Sequence, residues 1–102
     1  MKKTVVYWTL EALTDIENIA DFISLNSSVA ADKIIKNIFF RTRQIADFPE
    51  SGQQQHGIKT TKIYRYLIEG NYKIIYSYTN RIIYIHTVFD CRQDPDKLVR
   101  NL

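Results

Sequence analysis

The sequence predicts an α+β fold: an N-terminal strand, then an antiparallel helical hairpin packed on one face of a small antiparallel β-sheet. Three observations carry this. Two stretches between residues 9 and 47 place apolar side chains at three- and four-residue steps, the period of an amphipathic helix. Three runs between residues 63 and 89 are dense in Ile, Tyr, Val and Thr, the types that fit a pleated surface. Only short polar turns separate neighbours within each set, so they run antiparallel, and the helices bury their stripes on the sheet. The expected order is β-α-α-β-β-β with a short C-terminal helix or turn, in one domain spanning residues 1–102.

Val5-Val6-Tyr7-Trp8 is a short strand signal. The basic start, Met1-Lys2-Lys3, followed by these apolar residues resembles a leader, but the run breaks at Thr9 and Glu11 with no small-residue cleavage site. It reads as an edge strand of an intracellular, cytoplasmic protein that joins the sheet after the helices. Thr9 caps the first helix, with Glu11 in its first turn where the helix dipole favours a carboxylate. Ala12, Leu13, Ile16, Ile19, Ala20 and Ile23 form its apolar stripe, and Glu11, Asp15, Glu17, Asn18 and Asp21 fill the other side. Asn26-Ser27-Ser28 ends this helix and caps the next. The second helix covers residues 28–47, with Ala31, Ile34, Ile35, Ile38, Phe39, Thr42, Ile45 and Ala46 on one face. Phe40 falls among the charges opposite and so faces outward, where an aromatic suits contact with a partner.

Phe48-Pro49-Glu50-Ser51-Gly52 stops the second helix, and residues 51–61, with the run Gln53-Gln54-Gln55-His56, read as a connecting loop. Strands follow over 63–68, 72–78 and 81–89, with turns at Glu69-Gly70-Asn71 and Thr79-Asn80. Tyr72, Ile74, Tyr76 and Tyr78 share one face of the middle strand; Lys73, Ile75, Ser77 and Thr79 share the other. An antiparallel sheet can leave its second face to solvent, which is where a functional surface is expected. Asp94-Pro95-Asp96 opens the short terminal helix or turn.

Apolar residues make up 45% and charged residues 25%, an ordinary globular balance. No apolar run approaches the roughly 20 residues of a membrane span. The single cysteine, Cys91, excludes an intrachain disulfide and Cys-pair zinc sites. Residues 51–102 carry 8 Lys/Arg against 4 Asp/Glu, whereas residues 1–50 carry 6 against 7, so the net +3 resides on the strand-rich half and suits an acidic partner.

No metal-ligand cluster, phosphate loop or nucleophile motif is present, and no cofactor is expected. Cys91 lies between Asp90, which opposes a lowered thiol pKa, and Arg92, which favours one. What remains is Lys59, Lys62, Arg65, Lys73, Arg81 and Arg92 among Tyr64, Tyr66, Tyr72, Tyr76, Tyr84 and His86. Cations near aromatics suit RNA, and Lys, Arg, Tyr and His between them can supply the base, acid and phosphate clamp of metal-free cleavage. Against this, tyrosines are frequent in strands for packing alone, and a strand histidine is ordinarily a satisfied polar group.

Several short patterns occur in order along the chain. They are Trp8-Thr9-Leu10-Glu11-Ala12 with Asp15-Ile16-Glu17-Asn18-Ile19-Ala20-Asp21-Phe22-Ile23, Asn26-Ser27-Ser28-Val29-Ala30-Ala31 with Phe48-Pro49-Glu50-Ser51-Gly52, Gly70-Asn71-Tyr72-Lys73-Ile74-Ile75-Tyr76, and Val88-Phe89-Asp90-Cys91-Arg92-Gln93-Asp94-Pro95. Together they resemble the ParE/RelE superfamily of bacterial toxins, often labelled plasmid stabilization proteins, over nearly the whole chain and closer to the ParE-like branch. The resemblance implies the toxin of a type II toxin–antitoxin pair, with a cognate antitoxin as partner in a hetero-oligomer. ParE-like members target DNA gyrase; RelE-like members cut ribosome-bound mRNA without metal. In the RelE-like case the resemblance implies Lys73, Arg92, Arg65 and Tyr72 as catalytic, although position 90, often histidine in the superfamily, is Asp90. Phe40, Lys62, Tyr64 and Tyr66 are the expected partner-binding residues, and an antitoxin helix is expected in a groove over the hairpin and sheet edge. Three readings stay open: a gyrase-inhibiting toxin, a metal-independent mRNA endoribonuclease, and an inactive antitoxin-binding relative.

Overall fold

A computed structural model describes residues 4–56 and 61–92. The elements are β1 (Val5–Trp8), α1 (Leu10–Ser24), α2 (Ser28–Ile45), β2 (Gln53–Gln54), β3 (Arg65–Glu69), β4 (Tyr72–Thr79) and β5 (Ile82–Asp90). They form a five-stranded sheet in the order β1-β5-β4-β3-β2, with the helical hairpin on one face. The expected terminal helix or turn from Asp94, and Lys59, lie outside the described residues.

The caps fall where the sequence puts them. Thr9 accepts from the Ala12 amide at 3.1 Å and Ser27 from the Ala30 amide at 3.1 Å, each satisfying a helix-start donor that has no partner within the helix. Thr9 also donates its hydroxyl to the Ile85 carbonyl at 2.8 Å, which ties the start of α1 to the middle of β5. The second helix stops two residues earlier than expected, at Ile45, with Ala46 as its cap.

The sheet departs from the expected antiparallel one in two ways. First, β1 runs parallel to β5, with Val5 opposite Ile82 and Trp8 opposite Ile85. A long crossover joins these strands, so no hairpin turn forces an antiparallel pairing. Second, Gln53–Gln54, read as loop, adds an edge strand on β3. β3 itself starts at Arg65 rather than residue 63, and the β4–β5 turn sits one residue later than expected. Its central residues Asn80 and Arg81 have φ of 52° and 64°, the paired left-handed conformation of a tight type I′ hairpin. Gly70, at φ 58°, makes the β3–β4 turn.

The main core joins Ala12, Ile16, Ile38 and Ile45 of the helices to Leu67, Ile74, Tyr76, Ile83, Ile85 and Val88 of the sheet. Fully burying an isoleucine of this kind contributes about 1.5–3 kcal/mol. Leu13, expected in this stripe, is instead 43% exposed. Asp15, expected on the solvent side of α1, reaches the sheet. Its Oδ2 accepts from the Thr87 hydroxyl at 2.7 Å and the Val88 amide at 3.0 Å. Alternation from Ile83 and Ile85 brings Thr87 to the helix side; next to it the β4–β5 register shifts between Ile75 and Tyr76, a β-bulge that leaves His86 without a cross-strand backbone partner.

The second sheet face is not simply left to solvent. Tyr64 and Ile75 are buried there, with Tyr66 and Phe89 packed against them, as a smaller second core.

Candidate functional site

Alternation along β3 and β4 sorts the candidate residues. Tyr72, like Ile74 and Tyr76, belongs to the helix-side core, whereas Lys73 and Ile75 take the outer face with Tyr66 and Phe89. Of the four residues expected to act together in RNA cleavage, Tyr72 and Lys73 are thereby placed on opposite faces.

Arg65 stands opposite Tyr76 and donates through Nη1 to the carbonyls of Glu50 and Gly52, both at 2.9 Å. Tyr76 completes the same node: its hydroxyl donates to the Pro49 carbonyl at 2.8 Å and accepts from the Gly52 amide at 3.0 Å. A Cβ on residue 52 would lie 2.3 Å from that hydroxyl, so only glycine fits. Arg65 is thus a brace for the loop leaving α2.

On the outer face the Lys73 ammonium sits 4.0 Å from the centre of the Tyr66 ring, a cation–π pair. Burial pulls the Lys73 pKa below its ordinary value, with Cys91 partly opposing. Tyr66 is anchored by donating to Gln53 Oε1 at 2.7 Å. Nothing in the sequence marks Gln53 for this, since its strand is only two residues long. Alongside, His86 Nε2 pairs with Ser77 Oγ at 2.7 Å, and the ring lies between Tyr64, edge-on at 5.1 Å, and Tyr84, stacked at 6.4 Å. Burial first, and the charge of Lys62 second, push its pKa below 6.5. Tyr64 therefore contributes to packing, Tyr66 is partly exposed, and Lys62 is exposed beside them.

At the exit of β5 the Arg92 guanidinium closes on Asp90. Nε donates to Oδ1 at 2.9 Å, Nη2 donates to Oδ2, and the Arg92 amide donates to Oδ1 at 2.8 Å. These bonds hold the Asp90 carboxyl down at about 2. Tyr72, cross-strand from Asp90, has its pKa raised by burial and by that carboxylate, with Arg92 opposing. The spacing of two between Asp90 and Arg92 is the signal that could have revealed this pair in advance.

Tyr72, Asp90 and Arg92 thus meet at one end of the sheet. Lys73 shares that end but faces the other way, and Arg65 is committed elsewhere. Phe40 projects from α2, 60% exposed, as expected. Among the described residues no group of three or more His, Cys, Asp or Glu could hold a metal ion, and no helix is long and apolar enough to cross a membrane. The site offers braced, partly exposed aromatic and cationic surface rather than a converged acid–base set.

Comparison with known proteins assigns the chain. The family model of the ParE toxin of type II toxin–antitoxin systems matches residues 6–95, and the chain belongs to that family. No curated protein matches it in sequence. Among solved structures it resembles the chromosomal ParDE toxin–antitoxin system from P. aeruginosa, with a TM-score of 0.71 at 18% identity, covering 86% of this chain and 96% of that one. At that identity the likeness is one of fold, and it includes the helical hairpin on the sheet.

Proposed function

We propose that this ParE-family toxin arrests growth in the cytoplasm by inhibiting DNA gyrase through protein contacts, and that a cognate antitoxin neutralises it in a hetero-oligomer. The observation that carries the reading is the commitment of both candidate arginines. Arg65 is held on loop carbonyls, Arg92 on Asp90, and Lys73 faces the other side of the sheet, so the candidate residues do not converge on one point as a preorganised phosphate-transfer site would. A binding toxin needs no such set. The antitoxin helix would dock on the outer sheet face near its edge, where Lys62 is exposed and Tyr66 partly exposed beside the buried Tyr64. The test is a supercoiling assay with purified toxin. Inhibition relieved by the co-expressed neighbouring gene product is expected; supercoiling untouched at large molar excess overturns the reading.

One observation favours a second reading, a metal-independent endoribonuclease acting on ribosome-bound mRNA. Lys73, its pKa lowered by burial and its ammonium set on Tyr66, has the character of a general acid or base. Primer extension on translated mRNA after induction discriminates: new 5′ ends support cleavage, and their absence alongside growth arrest removes it.

A further inference from the structure

The two helices of the hairpin carry opposite charge. α1 holds Glu11, Asp15, Glu17 and Asp21 with no Lys or Arg, whereas α2 holds Lys33, Lys36, Arg41 and Arg43 against Asp32 alone. These charges are not consumed across the hairpin. Arg41 pairs with Glu69 of the sheet, and among the described residues Lys33, Lys36 and Arg43 form no ion pair.

The buried stripe of α2, with Ala31, Ile38, Thr42 and Ile45, accounts for its packing. It leaves the opposite side unexplained. Val29, Lys33, Lys36 and Phe40 follow one another at steps of four, three and four, which keeps them in line on one face of a helix. All four are exposed, and the two apolar ends of this line, Val29 and Phe40, are 77% and 60% exposed. Single surface apolar residues need no explanation. Two of them aligned with two unpaired lysines between form a mixed apolar and cationic strip that packing within this chain does not explain.

We infer that the outer face of α2 is the surface by which this toxin engages its target, inserting into an acidic groove of a folded partner protein with Phe40 as the anchor. The inference rests on the reading of a protein-contact toxin. Val29, Lys33 and Lys36 line an open depression on this face together with Asp32 and Asn37; the antitoxin as its occupant is an outcome that the co-purification readout separates from the target. The lysines steer an acidic surface into place, and the aromatic supplies the desolvated centre.

The experiment expresses the native chain, Lys33→Glu/Lys36→Glu, Phe40→Ala and, as a control on α1, Glu17→Lys, and reads growth arrest, gyrase inhibition and co-purification with the antitoxin. The substituted side chains are exposed, so thermal midpoints serve as the check on folding. Each α2 variant is expected to need about tenfold more toxin for the same arrest, a typical hot-spot loss, while still co-purifying with the antitoxin; Glu17→Lys behaves as native. Native-like arrest by both α2 variants overturns the inference. So does loss of antitoxin binding with arrest retained, which would make α2 the antitoxin's face. If the native chain arrests growth but spares supercoiling, the gyrase reading fails, and the same variants still judge the α2 face by arrest. A native chain that arrests nothing overturns both.

Discussion

The two faces of the sheet use tyrosine differently. On the helix side Tyr76 is sealed from solvent and each hydrogen bond of its hydroxyl goes to backbone of the loop after α2. On the outer face Tyr66 offers its ring to Lys73 and keeps its hydroxyl on Gln53, both partly or wholly exposed. The first arrangement fixes the chain; the second is a surface that a partner can reach. A buried aromatic with a polar tip must find partners for that tip, and an exposed one has no such obligation.

Substitutions on the two faces should therefore separate cleanly. The largest expected loss is Ile85→Ala on the helix side, about 2–5 kcal/mol from transfer and cavity terms together, measured by urea denaturation. Tyr76→Phe comes next at about 1–3 kcal/mol, because it strands the buried Gly52 amide and leaves the partly buried Pro49 carbonyl without its donor. On the outer face Lys73→Met should cost less than about 1 kcal/mol, the scale of one exposed cation–π pair. An equal loss at Lys73 and Tyr76 would erase the distinction.

His86 gives the outer face a pH signature of its own. Its folded pKa lies below its ordinary 6.5, so between those values the unfolded chain binds a proton that the folded chain resists. Stability is then complete above 6.5, falls as the pH drops below it, and levels off beneath the folded value. The slope cannot exceed about 1.4 kcal/mol per pH unit for one proton. His86→Gln should flatten it in a series of denaturation curves from pH 7.5 to 5; an unchanged slope would place the titrating group elsewhere.

Much of the architecture is legible in the sequence because it depends on local signals. Thr9 and Ser27 are caps by residue type, and the Ile38 and Ile74 stripes follow from period alone. What is not legible depends on partners distant in sequence. Asp15 has the look of a solvated helix residue until the packing of α1 on β5 brings Thr87 and Val88 to it. Gln53 reads as loop until β3 offers an edge. Arg65 and Tyr72 read as candidate catalysts, and only the pairing register shows that Arg65 lies against the loop and Tyr72 under the helices. The α2 face was half legible: Phe40 stands out as misplaced, but its alignment with unpaired lysines needs the absence of cross-hairpin ion pairs among the described residues.

The bond from Thr9 to Ile85 spans 76 residues of sequence. At synthesis rates of about 5–20 residues per second, β1 waits about 4–15 s on the ribosome for the strand that pairs with it. Until then α1 lacks the tether that sets it on the sheet, and β1 has no ladder at all. A message truncated before Ile82 yields no half-strength toxin, because the first strand and the start of the first helix are both secured by β5.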